Sequence, residues 1–367
     1  MAQNKISFKW SVKKGTAGSF FIGTSQNSDI AVDWGDGQSE VVHCEGLGAA
    51  LPYDTFWSKD KVNKVEHKYN SDGEYQVTVS TDNSCLVYFG RSYFSEWIEL
   101  DVSGAPDLAA LDCSSISIYS KSPKTLDVSK NTALQILDCS YCGNLSELDV
   151  SHNTALKTLI CCECALKELH LARNVELEDL DCSANELTGL DVSKNVLLKT
   201  LNCSGNLLAK LDVNKNIHLE NLSVSDGRVL TKLDVSKNVV LKDFNCNSQK
   251  LHTLDVSKNI ALENLNCCDN QLEELDLSKN VRLEKLDCNT NELTSLDFTN
   301  NIELKELNCN ANELTSLVLT NNIELKELYC RDNQLKTLDL SKNIRLIDID
   351  CRGNGFTSLL ELFTLHK

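Results

Sequence analysis

The 367 residues exceed what one ordinary hydrophobic core holds, so we expect two domains or an extended repeat array. Lys and Arg total 36 against 53 for Asp and Glu, and the formal net charge of −17 argues against binding to nucleic acid or anionic membranes. Apolar residues make up 41% of the chain, too many for a disordered protein, and no apolar run reaches the roughly 20 residues of a membrane helix.

The first ninety residues are rich in aromatic residues and alternate between apolar and polar positions. Such alternation, interrupted by turn signals, predicts about six strands and a β-sandwich over residues 1–92. The DG pair of WGDG, at Trp34 to Gly37, predicts a hairpin turn. The candidate strands are ISFKWSV, GSFFIGT, IAVDWGDG, VEHKY, EYQVTVS and CLVYF.

Two segments of this region carry a family resemblance. VDWGDG and HKYNSDGEYQVTV resemble the polycystic-kidney-disease (PKD) type of immunoglobulin-like domain, over roughly residues 3–90. An insertion at about residues 44–63 departs from that pattern. We interpret Asp33 and Asp36 as turn residues rather than cation ligands. The sandwich is expected to cap the open end of the array that follows it.

A 21-residue repeat occupies most of the remaining chain. Each unit reads LxxLDVSKNxxLxxLxCxxNx, and this short period with fixed Leu and Asn positions predicts a leucine-rich solenoid of about twelve coils over residues 93–358, with a C-terminal cap at 359–367. The fold class is therefore mainly β, an immunoglobulin-like sandwich followed by a flat, curved solenoid. The LDV tripeptide or a close variant begins at Leu100, Leu126, Leu148, Leu169, Leu190, Leu211, Leu233, Leu254, Leu275, Leu296, Leu317 and Leu338.

Each coil is expected to contribute one parallel strand from its LxC half. In a strand successive side chains alternate between faces, so Leu265 and Cys267 should point inward and Asn266 outward. The LDVSK half has the same alternation, which predicts a second short strand or an extended segment, with Leu254 and Val256 inward.

With both half-motifs in view, the array resembles the 21-residue bacterial leucine-rich repeats of the internalin-J type, over roughly residues 97–358. The resemblance implies a curved solenoid on a secreted or surface-displayed bacterial protein that is used for recognition. It implies no particular ligand.

Eleven of the seventeen cysteines occupy one inward phase of the repeat. Val224 fills the same phase in one coil, so the position requires a small apolar side chain, and we expect a ladder of buried, reduced thiols rather than a metal or redox chain. The ladder comprises Cys113, Cys139, Cys161, Cys182, Cys203, Cys246, Cys267, Cys288, Cys309, Cys330 and Cys351.

Four further cysteines leave alternatives open. Cys142 and Cys164 fall at the Asn position of adjacent coils, where they either substitute for Asn or form a disulfide with each other. A metal bound by CCEC at 161–164 is disfavoured for want of neighbouring His ligands. Cys162 and Cys268 are expected to point outward.

Two polar rows follow from the LDVSKN half. The Asn that ends this motif is expected to bond turn backbone groups, a structural role. The Asp and Lys rows are interpreted as a solvated face of opposite charges that adds little stability.

The outward side chains of the LxC strands form the predicted ligand-binding face, because solenoid curvature makes this face continuous and concave. Tyr329 with Arg331 is the preferred anchor, since aromatic and Arg side chains dominate interfaces. The candidate binding residues are Asp138, Ile160, Asp181, Asp287, Tyr329, Arg331 and Asp350.

Together these observations favour a non-enzymatic recognition or adhesion module that binds a protein or glycan. A spacer or stalk without a ligand is the alternative, and a hydrolase is disfavoured because His43 and Cys44 should face opposite sides of a strand. We expect no cofactor, no metal, no nucleic-acid partner and no membrane insertion. The chain is expected to be a monomer, outside the cell or on its surface, although this sequence shows no signal peptide.

Overall fold

The computed structural model describes residues 4–47, 62–82, 85–92, 96–115 and 122–356. Within these ranges the regular elements are β-strands joined by turns, and none of the described residues is helical. The chain divides into two compact units, Met1–Leu190 and Asp191–Lys367.

The first unit opens with eight strands in two sheets. Five of them form an antiparallel sheet in the order β4-β3-β6-β1-β8, and the other three lie in the order β5-β2-β7 in a second sheet, which continues from β7 into the first solenoid strand. The strands are β1 (Asn4–Val12), β2 (Ala17–Thr24), β3 (Ser28–Asp33), β4 (Ser39–Cys44), β5 (Asn63–Lys68), β6 (Gly73–Thr81), β7 (Leu86–Arg91) and β8 (Glu96–Gly104).

Aromatic side chains fill the space between these two sheets. Phe8 of β1 lies edge-on to Phe20 of β2, with ring centroids 5.4 Å apart, and Phe89 of β7 stacks on Trp97 of β8 at 5.1 Å. All four side chains are buried. Aromatic rings bury large apolar areas, so this cluster explains why the alternating aromatic segments pack as two layers. The assignment of these eight strands to a PKD-type or immunoglobulin-like domain stays a prediction.

The WGDG segment forms the turn between β3 and β4. Gly35 and Gly37 have φ angles of +74° and +89°, which side chains rarely adopt. The Asp33 carboxylate accepts a hydrogen bond from the Gly35 amide at 3.0 Å, and Asp36 accepts one from the Gln38 amide at 3.0 Å. Both aspartates therefore serve the turn, as the sequence predicts.

Strand pairing crosses the predicted domain boundary at residue 92 in two places. Leu100, the start of the first predicted repeat, lies in β8 and pairs with Phe8 of β1. The same LDV also begins the first solenoid turn, because the Asn131 side chain donates to the Val102 and Ala105 carbonyls at 2.8 Å, as the asparagines of later turns do to their preceding turns. Phe89 of β7 pairs in parallel with Leu111, at the first solenoid strand. β7 thus covers the edge of the first solenoid strand with backbone hydrogen bonds.

The rest of each unit consists of solenoid turns, each contributing one three-residue strand. Within each unit these strands pair in parallel, in register, with the next turn. The first unit contains β9 (Ala110–Asp112), β10 (Ile136–Asp138), β11 (Thr158–Ile160) and β12 (Asp179–Asp181). The second contains β13 (Thr200–Asn202), β14 (Asn221–Ser223), β15 (Asp243–Asn245), β16 (Asn264–Asn266), β17 (Lys285–Asp287), β18 (Glu306–Asn308), β19 (Glu327–Tyr329) and β20 (Asp348–Asp350).

The alternation of side chains along each strand decides which of them are buried inside the solenoid. Leu265 and Cys267 are buried and Asn266 is half-buried, as the LxC pattern predicts. In the LDVSK half, Leu254 and Val256 are also buried, but the segment is extended and forms no strand. A turn follows it, in which the Asn259 amide donates to the Val256 carbonyl at 3.0 Å.

Two predicted features fall outside the described residues. These are the C-terminal cap at 359–367 and most of the insertion at about 44–63.

Candidate functional site

A groove of about 540 Å³ runs along the outer face of β13 to β19 in the second unit. Each strand directs the side chains of its first and third residues towards this groove, while its central Leu or Phe is buried. Most of these first and third residues carry amide, hydroxyl or carboxyl groups, although carbon atoms supply most of the exposed surface of the groove.

The third residues of the strands share one hydrogen-bonding arrangement. The side-chain oxygens of Asn245, Asn266 and Asn308 each accept the backbone amide two residues further along, at 3.2, 3.1 and 3.3 Å. Asp287 makes the same bond to the Asn289 amide at 3.1 Å. This Asx turn ends each of these four strands, so one side-chain oxygen of each residue is used structurally. In the asparagines, the NH₂ group is left to face the groove.

The first residues of the central strands are paired with one another. Asn264 donates its amide hydrogen to Asp243 on the preceding strand. Lys285 lies 2.7 Å from Glu306 on the following strand. Lys285 and Glu306 cancel one another's charge, whereas Asp243 keeps its negative charge beside a neutral amide, so the groove is acidic.

Tyr329 lies at the end of the groove, with its hydroxyl held by carboxylates. The hydroxyl donates to Asp348 at 2.7 Å and lies 3.4 Å from Glu327. The hydrogen bond to Asp348, together with burial and both negative charges, raises the pKa of Tyr329 to about 12. The ring orientation is therefore fixed.

Two of the predicted binding residues are engaged in local ion pairs instead of lining the groove. The Arg331 guanidinium lies 2.9 Å from Asp332. Asp350 accepts two hydrogen bonds from Arg352, at 2.8 and 2.6 Å, and this pair lowers the pKa of Asp350 to about 2.

Three other candidates belong to the first unit and are not among the residues that line this groove. Asp138 is only 7% exposed and accepts hydrogen bonds from the amide and hydroxyl of Ser140, at 2.9 and 2.6 Å, so we do not include it in a binding surface. Asp181 makes the equivalent bonds to Ser183, and Ile160 is half-buried.

Of the predicted candidates, the structure therefore places Asp287 and Tyr329 at one groove. The amides beside them were not among the chosen candidates. Their signal is visible in the sequence as Asn in the residue preceding the ladder cysteine, at 245, 266 and 308.

The cysteine ladder occupies the interior. All its members are buried except Cys351, which is half-buried. Burial raises the pKa of Cys267 and Cys288 well above the ordinary thiol value, because the thiolate would lose its hydration. These thiols are poor nucleophiles and metal ligands in this state.

Cys142 and Cys164 replace an asparagine that recurs in later turns. The Cys142 thiol donates to the Cys113 carbonyl at 3.5 Å and the Cys164 thiol donates to the Cys139 carbonyl at 3.2 Å. Asn185 donates its amide to the corresponding Cys161 carbonyl at 2.8 Å. The geometry supports substitution, and both cysteines are free thiols.

The remaining chemistry-bearing groups do not converge. Burial raises the pKa of the half-buried Cys162 and Cys268 to about 12. His43 is exposed and bonds Asp29 at 2.8 Å, whereas Cys44 on the next residue is buried, so the two face opposite sides. Across the described residues, no three His, Cys, Asp or Glu side chains lie close enough to hold a metal ion.

Comparison with known proteins decides the class of the solenoid. The functional domain of InlJ from Listeria monocytogenes, which includes a cysteine ladder, superposes with a TM-score of 0.66 and 35% identity. The solenoid has the leucine-rich-repeat fold. The match covers 71% of this chain and 57% of the InlJ chain, so this chain spans less than two thirds of that relative.

More distant internalin-type and other leucine-rich-repeat structures share the fold alone. The internalin InlF from Listeria monocytogenes matches with a TM-score of 0.55 and 19% identity, over 73% of this chain and 87% of that one. YopM from Yersinia enterocolitica matches with a TM-score of 0.52 and 24% identity, over 68% and 52%. No protein-family model matches the chain, and no curated protein sequence does. The described residues contain no helix long and apolar enough to span a bilayer.

Proposed function

We propose that the chain is a non-enzymatic recognition module that binds a protein or glycan ligand in the groove of β13 to β19. The observation that carries this proposal is the groove itself, about 540 Å³ in volume and lined by polar side chains from seven successive strands. Three-residue strands stacked on a buried Leu and Cys interior make a rigid base, and rigid surfaces lose little entropy on binding.

The similarity to the functional domain of InlJ supports a recognition role. By extension, we propose a bacterial protein that is secreted or displayed on the cell surface. The net charge of −17 makes nucleic acid and anionic membranes poor partners. A spacer without a ligand remains the competing function, because a regular array needs no ligand to be stable.

The test is to block the groove without disturbing the solenoid. Asn266→Arg places a long cation at the centre of the groove, and Lys258→Glu changes an exposed charge on the LDVSKN half of the same turn as a control. Each full-length variant is passed over immobilised bacterial-envelope polysaccharide and animal cell-surface glycoprotein. We expect retention of the unaltered chain and the control, and loss of retention for Asn266→Arg with an unchanged melting temperature. Retention that is indifferent to Asn266→Arg, or no retention at all, would favour the spacer.

A further inference from the structure

A row of exposed, β-branched apolar side chains runs along the turns of the second unit. In each turn it is the residue that follows the buried Asn of LDVSKN or its variant, and between 44% and 79% of each of these residues is exposed. Neighbouring turns lie about 4.8 Å apart, so eight of them form a row about 34 Å long. The members of this apolar row are Val196, Ile217, Val239, Ile260, Val281, Ile302, Ile323 and Ile344.

The asparagine before each member holds the apolar row in register. The Asn259 side chain donates to the Asn238 carbonyl of the preceding turn at 2.9 Å. Asn280 donates in the same way to the Asn259 carbonyl at 2.9 Å. Each Val or Ile is therefore attached to a backbone segment that is bonded to the neighbouring turns, and its branched side chain has few rotamers. A surface that is already ordered loses little entropy when another molecule covers it.

The solenoid itself does not require apolar residues at this position. Asn131 and Asn153 make the equivalent hydrogen bonds in two earlier turns. The residues that follow them are Thr132 and Thr154, and both are exposed. In the other half of the repeat, the residue after the asparagine that follows the ladder cysteine is polar and exposed in four later turns, at Gln271, Glu292, Glu313 and Gln334.

This selective placement distinguishes the apolar row from scattered surface residues. Single exposed Val or Ile residues are common, but soluble proteins rarely expose a long contiguous apolar patch unless another molecule covers it. Eight Val or Ile residues in phase, at a position that also accepts Thr, therefore indicate an interaction surface.

The residues that flank the apolar row carry balanced charge. In the eight turns, the positions five and two before the row and one and three after it hold twelve Lys or Arg and twelve Asp or Glu residues. Some of them pair across turns, as Lys242 does with Glu220 at 2.7 Å. The whole chain has a net charge of −17, so two copies repel each other least where they meet along a strip without net charge.

A second copy of the chain presents the same row at the same interval. In a two-fold symmetric dimer both copies use one patch, so the apolar side chains of one meet those of the other. An interface of standard size buries about 800 Å² of each partner, which a strip about 34 Å long reaches at a width of about 24 Å. We propose that two copies of this chain associate through the apolar row as a symmetric dimer. This dimer replaces the monomer expected from the sequence.

The experiment is sedimentation velocity of the full chain across the micromolar range. The unaltered chain should sediment at twice the chain mass of 40.8 kDa. Ile260→Thr with Val281→Thr gives two central positions the residue that earlier turns carry there, so the melting temperature should be unchanged. The dimer should dissociate at least tenfold more readily, because each change occurs in both copies. Added salt should not weaken the dimer of the unaltered chain, because apolar burial is not screened.

A matched control and a second readout accompany this variant. Val229→Thr makes the same kind of change at an exposed residue of the other half of the repeat, and it should leave the dimer unchanged. The apolar row shares no residue with the lining of the groove, so retention on immobilised glycoprotein reports on the groove separately.

Several results would overturn this inference. They are sedimentation of the unaltered chain at one chain mass throughout, an equally tight dimer in the Ile260→Thr and Val281→Thr variant, or an equal loss in Val229→Thr. A single-chain mass together with loss of glycoprotein retention in the row variant would assign the apolar row to a protein ligand instead. Dissociation of the dimer by salt would assign the association to charged groups.

Discussion

Cys164 donates its thiol hydrogen to the Cys139 carbonyl oxygen, 3.2 Å away, and so ties two adjacent turns together. The Cys139 thiol in turn hydrogen-bonds the Cys164 sulfur, and this bond is the main cause that lowers the pKa of Cys164. A thiol with a lowered pKa carries more thiolate and reacts faster.

We therefore expect Cys164 to be the first cysteine alkylated in the native protein. Iodoacetamide at pH 8, followed by peptide mass mapping, should label it before Cys162 and Cys268, whose pKa values burial raises to about 12. Cys139→Ala should slow labelling of Cys164, because the stabilising bond is lost. Labelling of Cys162 first would contradict this assignment.

The ladder should tolerate apolar replacement better than polar replacement. Cys267→Ser buries a hydroxyl where no water reaches, and we expect a loss of about 1–3 kcal/mol in the free energy of unfolding. Cys267→Val should cost less, because Val224 fills the same position two turns earlier. Urea unfolding of both variants provides the measurement, and a Ser variant as stable as the Val variant would show that the site is not dry.

The buried asparagines of LDVSKN should be among the most sensitive positions. The Asn259 side chain donates to the Val235 and Asn238 carbonyls, at 3.0 and 2.9 Å. Asn259→Ala leaves both buried carbonyls without that donor, and we expect a loss of about 2–4 kcal/mol in urea unfolding. Lys258→Ala, an exposed neighbour, should change stability by less than about 0.5 kcal/mol. Equal effects of the two changes would refute a structural role for this asparagine.

Most turns hold one residue with φ in the left-handed region, and glycine should relieve the strain at that position. Thr290 has a φ angle of +54°, which is costly for a β-branched residue, and Gly205 fills the corresponding position in an earlier turn. We expect Thr290→Gly to raise the melting temperature, by a stabilisation of about 0.5–1 kcal/mol. Thr294→Gly, at an exposed position without positive φ, should lower it. A lower melting temperature for both variants would contradict the strain argument.

Stability should fall in acid because of the LDVS turns. The Ser257 amide donates to the Asp255 carboxylate at 2.9 Å, and this bond is the largest cause that lowers the pKa of Asp255. A carboxyl whose pKa is lower when folded stabilises the protein above the unfolded pKa of about 3.9, and that stabilisation is lost as the pH falls through the folded value. The same arrangement occurs at Asp127, Asp149, Asp191, Asp234, Asp276 and Asp339.

The urea midpoint should therefore be constant above about pH 5 and should decline below about pH 4. Asp255→Asn with Asp276→Asn keeps an oxygen for each turn but removes two titrating groups, so this variant should lose less stability between pH 5 and pH 3. An identical acid loss in the variant and the unaltered chain would exclude these turns as its source.

The sequence correctly predicted the burial of side chains whose environment depends only on alternation along their own strand. Leu265 and Cys267 were assigned to the interior from alternation, and they are buried. It did not show that Leu100, whose LDV begins the first solenoid turn, also lies in β8 and pairs with β1. An apolar, polar, apolar triplet suits any strand with one buried face, so the motif alone does not identify its partner.

The sequence predicted which face of the solenoid would carry the candidate site, but it did not predict which residues of that face line the groove. The row of Asp138, Asp181 and Asp287 looks uniform in sequence, yet Asp138 is 7% exposed and Asp287 lines the groove. The Asp row that contains Asp255 was interpreted as a solvated face, and Asn266 was assigned only an outward position, whereas in the structure both side chains accept a backbone amide. Whether a polar side chain bonds its own backbone is a question of local geometry, and residue spacing only suggests it.

The sequence by itself determined the repeat period, the parallel strand in each turn and the rows of buried Leu and Cys side chains. Side chains alternate between the two faces of a strand, so the same positions of every 21-residue repeat are buried. Tertiary structure alone decided that β7 pairs with the first solenoid strand and that Lys285 pairs with Glu306. It also decided that Asn266 and Asn308 line a groove. Those outcomes depend on which atoms meet across neighbouring turns, and hydrogen bonds and ion pairs form only at contact distance.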